Sequence, residues 1–184
     1  MNQFLHALPN LLSTVRLLLA ALFPFCPERE WIWLVLAAGA SDFLDGWIAR
    51  RWHLESWQGG LLDAVADKLF VLSVLVTFVL SEKFSPWWGP GLLARDLAVA
   101  LIALYASCRR EWASFQKMEA SGSGKLATAG QFLFFATVVL APAFIHSVFV
   151  IAVLFSLLAA FDYSRHFVLA LRQRTAERGM LNPE

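Results

Sequence analysis

Charged residues are scarce in this sequence. Lysine, arginine, aspartate and glutamate make up 16% of the 184 residues, whereas soluble domains carry about 25%. Hydrophobic residues make up 59%, and they occur in long runs separated by short charged stretches. This pattern excludes an ordinary soluble domain and is typical of an α-helical membrane protein with several spans. The formal net charge of +1 gives no indication of a nucleic-acid partner.

Cysteine is almost absent as well, since the chain contains only Cys26 and Cys108. These two are predicted to lie on opposite sides of a membrane, where they cannot pair, and neither has a metal-ligand neighbour at a useful spacing. The four histidines show no paired spacing either. Internal repeats, low-complexity segments and long linkers are also missing. We therefore expect residues 1–184 to form a single domain.

Six membrane spans can be drawn between short segments that contain proline or glycine. We expect an all-α integral membrane bundle. The apolar run near the N-terminus is interpreted as the first span rather than a cleaved signal peptide, because Arg16 interrupts it. The predicted spans are 10–25, 31–49, 61–80, 88–107, 126–145 and 147–169.

Basic residues are distributed unevenly between the two sets of predicted loops. One side has only Arg29 and Lys83. The other side has Arg50, Arg51, Arg109, Arg110, Lys117, Lys125, Arg165, Arg172, Arg174 and Arg178. By the positive-inside rule the second side is cytoplasmic, which places both termini there and suggests a bacterial inner membrane. All eight tryptophans also fall near the predicted interfaces, as an aromatic belt requires.

Four aspartates lie at the predicted cytoplasmic ends of the second and third spans. Asp42 and Asp45 share one helix face, and so do Asp63 and Asp67. A carboxylate near the centre of a bilayer costs roughly 2.5–3.5 kcal/mol, so the four need cations to offset their charge. Two antiparallel helices would bring the pairs together, and such oxygen ligands suit Mg²⁺ or Mn²⁺. Four acids are enough for a site with two metal ions.

Small residues and one arginine accompany the aspartates. Gly46 leaves backbone accessible to a ligand, and Ala49 keeps the next helical turn small. Arg50 offers a planar guanidinium suited to a phosphate. Gly59 permits a tight return of the chain before the third span.

The complete spacing, D-x2-D-G-x2-A-R-x8-G-x3-D-x3-D from Asp42 to Asp67, resembles the motif of the CDP-alcohol phosphatidyltransferase family at every fixed position. The six spans and cytoplasmic active site of that family agree with the predicted topology. The resemblance implies a homodimer among membrane lipids. It also implies that CDP-diacylglycerol donates a phosphatidyl group to an alcohol acceptor with release of CMP.

The resemblance also implies a role for each residue of the motif. Asp42, Asp45 and Asp63 would be metal ligands for Mg²⁺ or Mn²⁺, and Asp67 would be both a ligand and the general base. The cytidine diphosphate part of the donor would be bound by Gly46, Ala49, Arg50 and Gly59.

The acceptor alcohol is less closely defined. The segment 9–16, the Arg95-Asp96 pair and the G-K-x2-T-x2-Q element that begins at Gly124 resemble phosphatidylglycerophosphate synthases and the related cardiolipin synthases. The former usually have glutamate where this chain has Asp96. We expect glycerol 3-phosphate as the acceptor, with phosphatidylglycerol or inositol phosphate as alternatives. Acceptor-binding cations would come from Lys125, Arg109, Arg110 and Arg165. Positive-inside bias or attraction to anionic lipid explains these cations equally well.

Other interpretations remain open at this point. The aspartates could form structural ion pairs with Arg16, Lys68 or Arg95, which is common within membrane bundles. A transporter would be expected to have paired broken helices and internal symmetry. A structural membrane protein has no use for four acids at one membrane end, and a lipid phosphatase would need a nucleophile or a histidine-based phosphate site.

Overall fold

The computed structural model describes the backbone of residues 2–52, 57–109 and 122–181, and the side chains of residues 11–44, 62–109 and 122–173. All regular secondary structure within these ranges is helical, which confirms the all-α prediction there. The helices are α1 (Asn2–Leu22), α2 (Glu28–Trp52), α3 (Trp57–Leu80), α4 (Gly89–Leu92), α5 (Ala94–Arg109), α6 (Gly122–Leu140) and α7 (Ile145–Leu181). Short 3-10 helices occupy Phe23–Phe25, Pro86–Trp88 and Pro142–Phe144.

Helical segments coincide with all six predicted spans, if α4 and α5 are counted together. Two stretches of the described chain, Gly122–Leu140 and Pro142–Gln173, are long and apolar enough to cross a membrane. The bent pair Pro86–Leu92 and Ala94–Arg109 makes a third if it is one span. Large hydrophobic side chains such as Leu101 and Phe161 remain exposed on these helices. Such surfaces are typical of an integral membrane protein, whereas the count of six spans stays a prediction.

The chain divides into two compact units. The first comprises Met1–Pro86 and Phe135–Pro142, and the second comprises Trp87–Phe134 and Ala143–Glu184. In the first unit α1 packs against both α2 and α3. In the second unit α7 packs against α4 and α5.

An aromatic cluster closes one end of the first unit. The ring of Phe23 stacks on Trp31 with centroids 5.8 Å apart, and it meets Phe70 and Phe78 edge to face. Trp31 is buried, and its indole N–H donates to the carbonyl oxygen of Cys26 over 3.0 Å. Rings in these arrangements each contribute about 0.5–1.5 kcal/mol beyond their burial. The cluster therefore packs the end of α1 and the start of α2 against α3.

The turn after α3 belongs to the same end. Lys83 N–H donates to the carbonyl of Phe78, and Glu82 N–H donates to that of Val79. This is the Schellman pattern that ends many helices, and it places Glu82 in the left-handed region at φ 55°. The Lys83 ammonium then contacts Glu28 Oε2 at 2.6 Å, so the turn connects the end of α3 to the start of α2.

The break between α4 and α5 is the main irregularity of the second unit. The two segments are bent by 62° at the break between Leu92 and Ala94, where the backbone hydrogen bonds of a continuous helix are interrupted. The Leu92 carbonyl instead accepts hydrogen bonds from Gln131 Nε2 at 2.9 Å and Ser156 Oγ at 3.0 Å. The Arg95 N–H donates to the same Ser156 hydroxyl at 3.1 Å. Two buried side chains thus replace the backbone partners that the bend removes.

Candidate active site

Arg16 joins three groups on two neighbouring helices. Its Nη1 atom donates to Asp63 Oδ1 of α3 at 2.7 Å and lies 3.3 Å from Asp42 Oδ1 of α2. Its Nη2 atom donates to Ser41 Oγ at 3.3 Å. Ser41 in turn donates to the carbonyl oxygen of Leu12 at 3.4 Å, which ties the group back to α1. The two aspartates therefore contact the same nitrogen atom of one buried guanidinium.

Asp67 lies one helical turn beyond Asp63 and has a cation of its own. Its Oδ2 atom contacts the Lys68 ammonium at 2.7 Å. The other oxygen, Oδ1, is buried and has no hydrogen-bond partner in the described part of the chain. Buried carboxylate oxygens are expensive when nothing donates to them. This oxygen is therefore suited to a cation or to a proton from a substrate.

The described charges of the motif form one electrostatic group. Asp42 interacts with the charges of Asp63, Asp67, Arg16 and Lys68. The described side chains of this group, Asp42, Asp63, Asp67, Arg16 and Lys68, carry a formal net charge of −1. A divalent ion would offset that charge.

Several predicted site residues lie outside the described side chains. These are Asp45, Gly46, Ala49 and Arg50, whose backbone belongs to α2, and Gly59, whose backbone belongs to α3.

The carboxylate oxygens of these aspartates are chemically suited to a hard divalent cation. Asp42, Asp63 and Asp67 supply only oxygen atoms, and one of these oxygens is buried without a donor. Among the described side chains, however, no group of three or more acidic, histidine or cysteine residues is arranged to hold a metal ion. Because Asp45 is outside that set, the predicted four-carboxylate site is not tested as a whole.

The structural ion pairs considered from the sequence are present in part. Arg16 pairs with two of the aspartates and Lys68 with a third. Arg95 contacts Asp96 instead, at 3.9 Å. Ion pairing and metal binding are compatible here, because a carboxylate has two oxygens that accept from different partners.

A second polar group surrounds Arg95 in the second unit. Its Nη1 atom donates to Thr128 Oγ1 at 2.8 Å, and its guanidinium lies over the ring of Tyr163, 5.9 Å from the centroid. Asp96 accepts from Gln131 Nε2 at 3.2 Å. The sequence elements R-D and G-K-x2-T-x2-Q therefore contact each other, as parts of one polar network.

The predicted acceptor-binding cations are exposed wherever they are described. Arg109 ends α5, Lys125 lies in the first turn of α6, and Arg165 lies on α7. Arg110 is outside the described residues. Exposed cations are free to meet either a soluble phosphate or a lipid headgroup.

Gly124 of the G-K element packs directly against Tyr163. A Cβ at this position would come within 2.7 Å of the Tyr163 hydroxyl and 3.2 Å of its ring, and the ring also carries the Arg95 contact. We expect Gly124→Ala to lower the free energy of unfolding by about 1–3 kcal/mol, as overpacking does. Gly122 is the matched control, because nothing lies within 4 Å of a Cβ there. Thermal unfolding in detergent measures both variants, and equal midpoints would contradict this prediction.

Comparison with known proteins agrees with the motif. The family profile described as CDP-alcohol phosphatidyltransferase matches residues 6–161. The chain is 37% identical over 131 residues to a cardiolipin synthase (CMP-forming) of Streptomyces coelicolor, covering 66% of this chain and 59% of that protein.

Two relatives are named CDP-diacylglycerol–glycerol-3-phosphate 3-phosphatidyltransferase. That of Cereibacter sphaeroides is 37% identical over 89 residues, covering 44% of this chain and 40% of the relative. That of Pectobacterium atrosepticum is 28% identical over 141 residues, covering 68% of this chain and 72% of the relative.

The chain belongs to the CDP-alcohol phosphatidyltransferase family, because the profile spans most of its length. It matches 59% and 40% of the lengths of the first two of these relatives. The resemblance predicted from the aspartate motif is thereby confirmed.

From the sequence, Arg16 and Lys68 were considered only as partners in structural ion pairs with the aspartates, and Ser41 was given no part. In the structure Arg16 and Lys68 contact the aspartates, and Ser41 accepts a hydrogen bond from Arg16. For Arg16 a signal was available, since a lone arginine inside an apolar run needs a buried anionic partner.

Proposed function

We propose that this protein transfers a phosphatidyl group from CDP-diacylglycerol to an alcohol and releases CMP. The observation that carries the proposal is the meeting of Asp42 and Asp63 at one buried guanidinium, inside the family motif. Acids from two helices converge there, as a site for the divalent ions that bind a diphosphate requires. The activities in the names of the relatives support the same reaction class.

Asp67 is the proposed general base. It lies beside the other acids, and its buried Oδ1 has no hydrogen-bond donor among the described residues. In the reaction this oxygen takes the proton of the acceptor hydroxyl. The hydroxyl oxygen forms a bond to the phosphorus that carries diacylglycerol. The bond from this phosphorus to the oxygen that bridges the two phosphates breaks, and CMP leaves with the bridging oxygen.

Asp42, Asp45, Asp63 and Asp67 are the proposed ligands for Mg²⁺ or Mn²⁺, in a site with room for two ions. When bound, such ions neutralise charge on the diphosphate and orient the attacking and leaving oxygens. Ion pairs with Arg16 and Lys68 hold carboxylates of this proposed ligand set in place.

Donor recognition is proposed for Gly46, Ala49, Arg50 and Gly59. The two glycines and the alanine leave backbone accessible to the cytidine diphosphate. The guanidinium of Arg50 suits a phosphate.

Glycerol 3-phosphate is the proposed acceptor, with Lys125, Arg109, Arg110 and Arg165 as cations for its phosphate. Lys125 has the strongest support, because it lies in the G-K element that resembles phosphatidylglycerophosphate synthases and the related cardiolipin synthases. The second candidate is cardiolipin synthesis from phosphatidylglycerol. The relative from Streptomyces coelicolor and the aspartate at position 96 favour it.

The proposed arrangement in the membrane has six spans, with both termini and the aspartates on the cytoplasmic face of a bacterial inner membrane. The distribution of basic residues supports this orientation. A homodimer is part of the same proposal, supported by the family to which the chain belongs.

An acceptor panel tests this proposal. Purified protein in detergent receives labelled CDP-diacylglycerol with glycerol 3-phosphate, phosphatidylglycerol or inositol phosphate in parallel. We expect phosphatidylglycerophosphate from the first mixture and little product from the others, since phosphate-binding cations give the phosphorylated acceptor stronger contacts. Cardiolipin from the second mixture alone would establish the other acceptor. No lipid product from any mixture would contradict the proposed function.

A further inference from the structure

Arg16 contacts the carboxylates of two helices through a single nitrogen atom. We propose that Arg16 is a positioning residue that holds Asp42 and Asp63 in the geometry required to bind a divalent cation. The inference rests on the proposed function, because it takes these aspartates as metal ligands.

Burial places the guanidinium on the inner side of the group. The Arg16 side chain is 0% exposed, whereas those of Asp42 and Asp63 are 30% and 41% exposed. The carboxylates therefore reach from a buried anchor toward the accessible side. A cation approaching from that side meets aspartates whose rotamers are already restrained, and restraint before binding favours affinity.

The shape of the side chain matters as much as its charge. The guanidinium uses Nη1 for the two aspartates and Nη2 for Ser41, so three groups are held in one planar fork. An ammonium is a compact charge on a flexible stem and lacks this fixed geometry. Lysine at this position would keep the positive charge but lose the geometry.

A purely structural tie between α1 and the other two helices is the alternative explanation. A tie of that kind affects the stability of the fold, but leaves the affinity of the folded protein for a cation unchanged. Partners that orient metal ligands behave differently, since their loss typically weakens metal binding about 10–100-fold. Metal affinity of the folded protein therefore separates the two explanations.

The experiment is a titration of purified protein in detergent with Mn²⁺, followed by the loss of the free-ion signal in electron paramagnetic resonance. We expect Arg16→Lys to raise the dissociation constant about 10–100-fold. Because the substitution keeps the charge, weaker binding reports lost geometry rather than changed electrostatic repulsion. An unchanged dissociation constant in folded Arg16→Lys would overturn the inference.

Lys83→Gln is the matched control. It breaks another ion pair between α2 and the end of α3, that with Glu28, at the end of the unit far from the aspartates. We expect Mn²⁺ to bind this variant as it binds the wild type. Equal weakening in both variants would assign the effect to general loosening of the helices, and would overturn the inference.

Ser41→Ala is the variant to titrate with Mn²⁺ if Arg16→Lys does not fold. It removes the acceptor of Nη2 and leaves both ion pairs in place, so a smaller loss of Mn²⁺ affinity is expected. Wild-type affinity in this variant would then overturn the inference.

The wild-type protein separates this inference from the proposed function. Absence of saturable Mn²⁺ binding by the wild type would exclude the metal site itself, and with it the proposed function. If the wild type binds Mn²⁺ and the folded Arg16→Lys variant has the same dissociation constant, only the proposed role of Arg16 is excluded.

Discussion

Asp67→Asn is expected to lower kcat for CMP release by about 10²–10⁴-fold, the usual contribution of a positioned general base. Asparagine keeps the size of the side chain but cannot take the proton of the acceptor hydroxyl. The buried Oδ1 atom has no hydrogen-bond donor among the described residues, so proton transfer to it does not require an existing contact to break. Steady-state CMP release at saturating donor and acceptor measures the effect.

The matched control for this variant is Glu28→Gln, which makes the same carboxylate-to-amide change at the other end of the first unit. Glu28 is exposed and pairs with Lys83, away from the aspartates. We expect its kcat to equal that of the wild type. Wild-type CMP release by folded Asp67→Asn would exclude Asp67 as the base.

Asp63→Asn is expected to reduce kcat/KM at least about 100-fold, because even outer partners of a metal site are each worth about 10–100-fold. This variant removes the charge of a proposed ligand and with it the ion pair to Arg16, whose Nη1 lies 2.7 Å from Asp63 Oδ1. The ion pair between the buried guanidinium and Asp42 remains.

The dependence of the rate on metal concentration identifies the cause. If Asp63 is a ligand, the residual activity of Asp63→Asn rises with Mn²⁺ at concentrations that already saturate the wild type. A residual rate that is low but saturates at the wild-type Mn²⁺ concentration would show that Asp63 acts through folding rather than through metal binding.

The helices were predictable from the sequence because long apolar runs are a composition signal. Six predicted spans overlap with helical segments, and Pro86 and Pro142 begin the 3-10 helices that lie between α3 and α4 and between α6 and α7. The break at Leu93 inside the fourth span was not predicted. Hydropathy depends only on the apolar side chains of this segment. It does not indicate that backbone hydrogen bonds are lost there, or that Gln131 and Ser156 donate to the Leu92 carbonyl in their place.

The belt of tryptophans illustrates a second limit. Trp33 and Trp87 are exposed, as residues at a membrane interface are expected to be, whereas Trp31 is buried. The distinction depends on Phe23, which stacks on Trp31, and on Phe78, whose ring packs against Trp31 at a tilt of 49°. A sequence pattern cannot supply contacts between residues so far apart in the chain.

The site was predictable to the extent that its residues are close in sequence. The spacing of Asp63 and Asp67 on one helix face is a local property, and so the acids were found from the motif. The pairing of Arg16 with Asp42 and Asp63 joins three helices, and from the sequence it was only one of several possible ion pairs. The structure therefore adds the cation that holds the acids, which the motif does not contain.

The most direct measurement is CMP release by the purified protein with CDP-diacylglycerol, glycerol 3-phosphate and Mg²⁺ or Mn²⁺, with and without a chelator. The account predicts CMP formation that requires both the acceptor and the divalent ion, and that returns when the ion is restored. CMP release that continues unchanged in excess chelator would contradict the role given to the aspartates. Absence of CMP under all these conditions, from a folded sample that binds the donor, would contradict the proposed transferase activity itself.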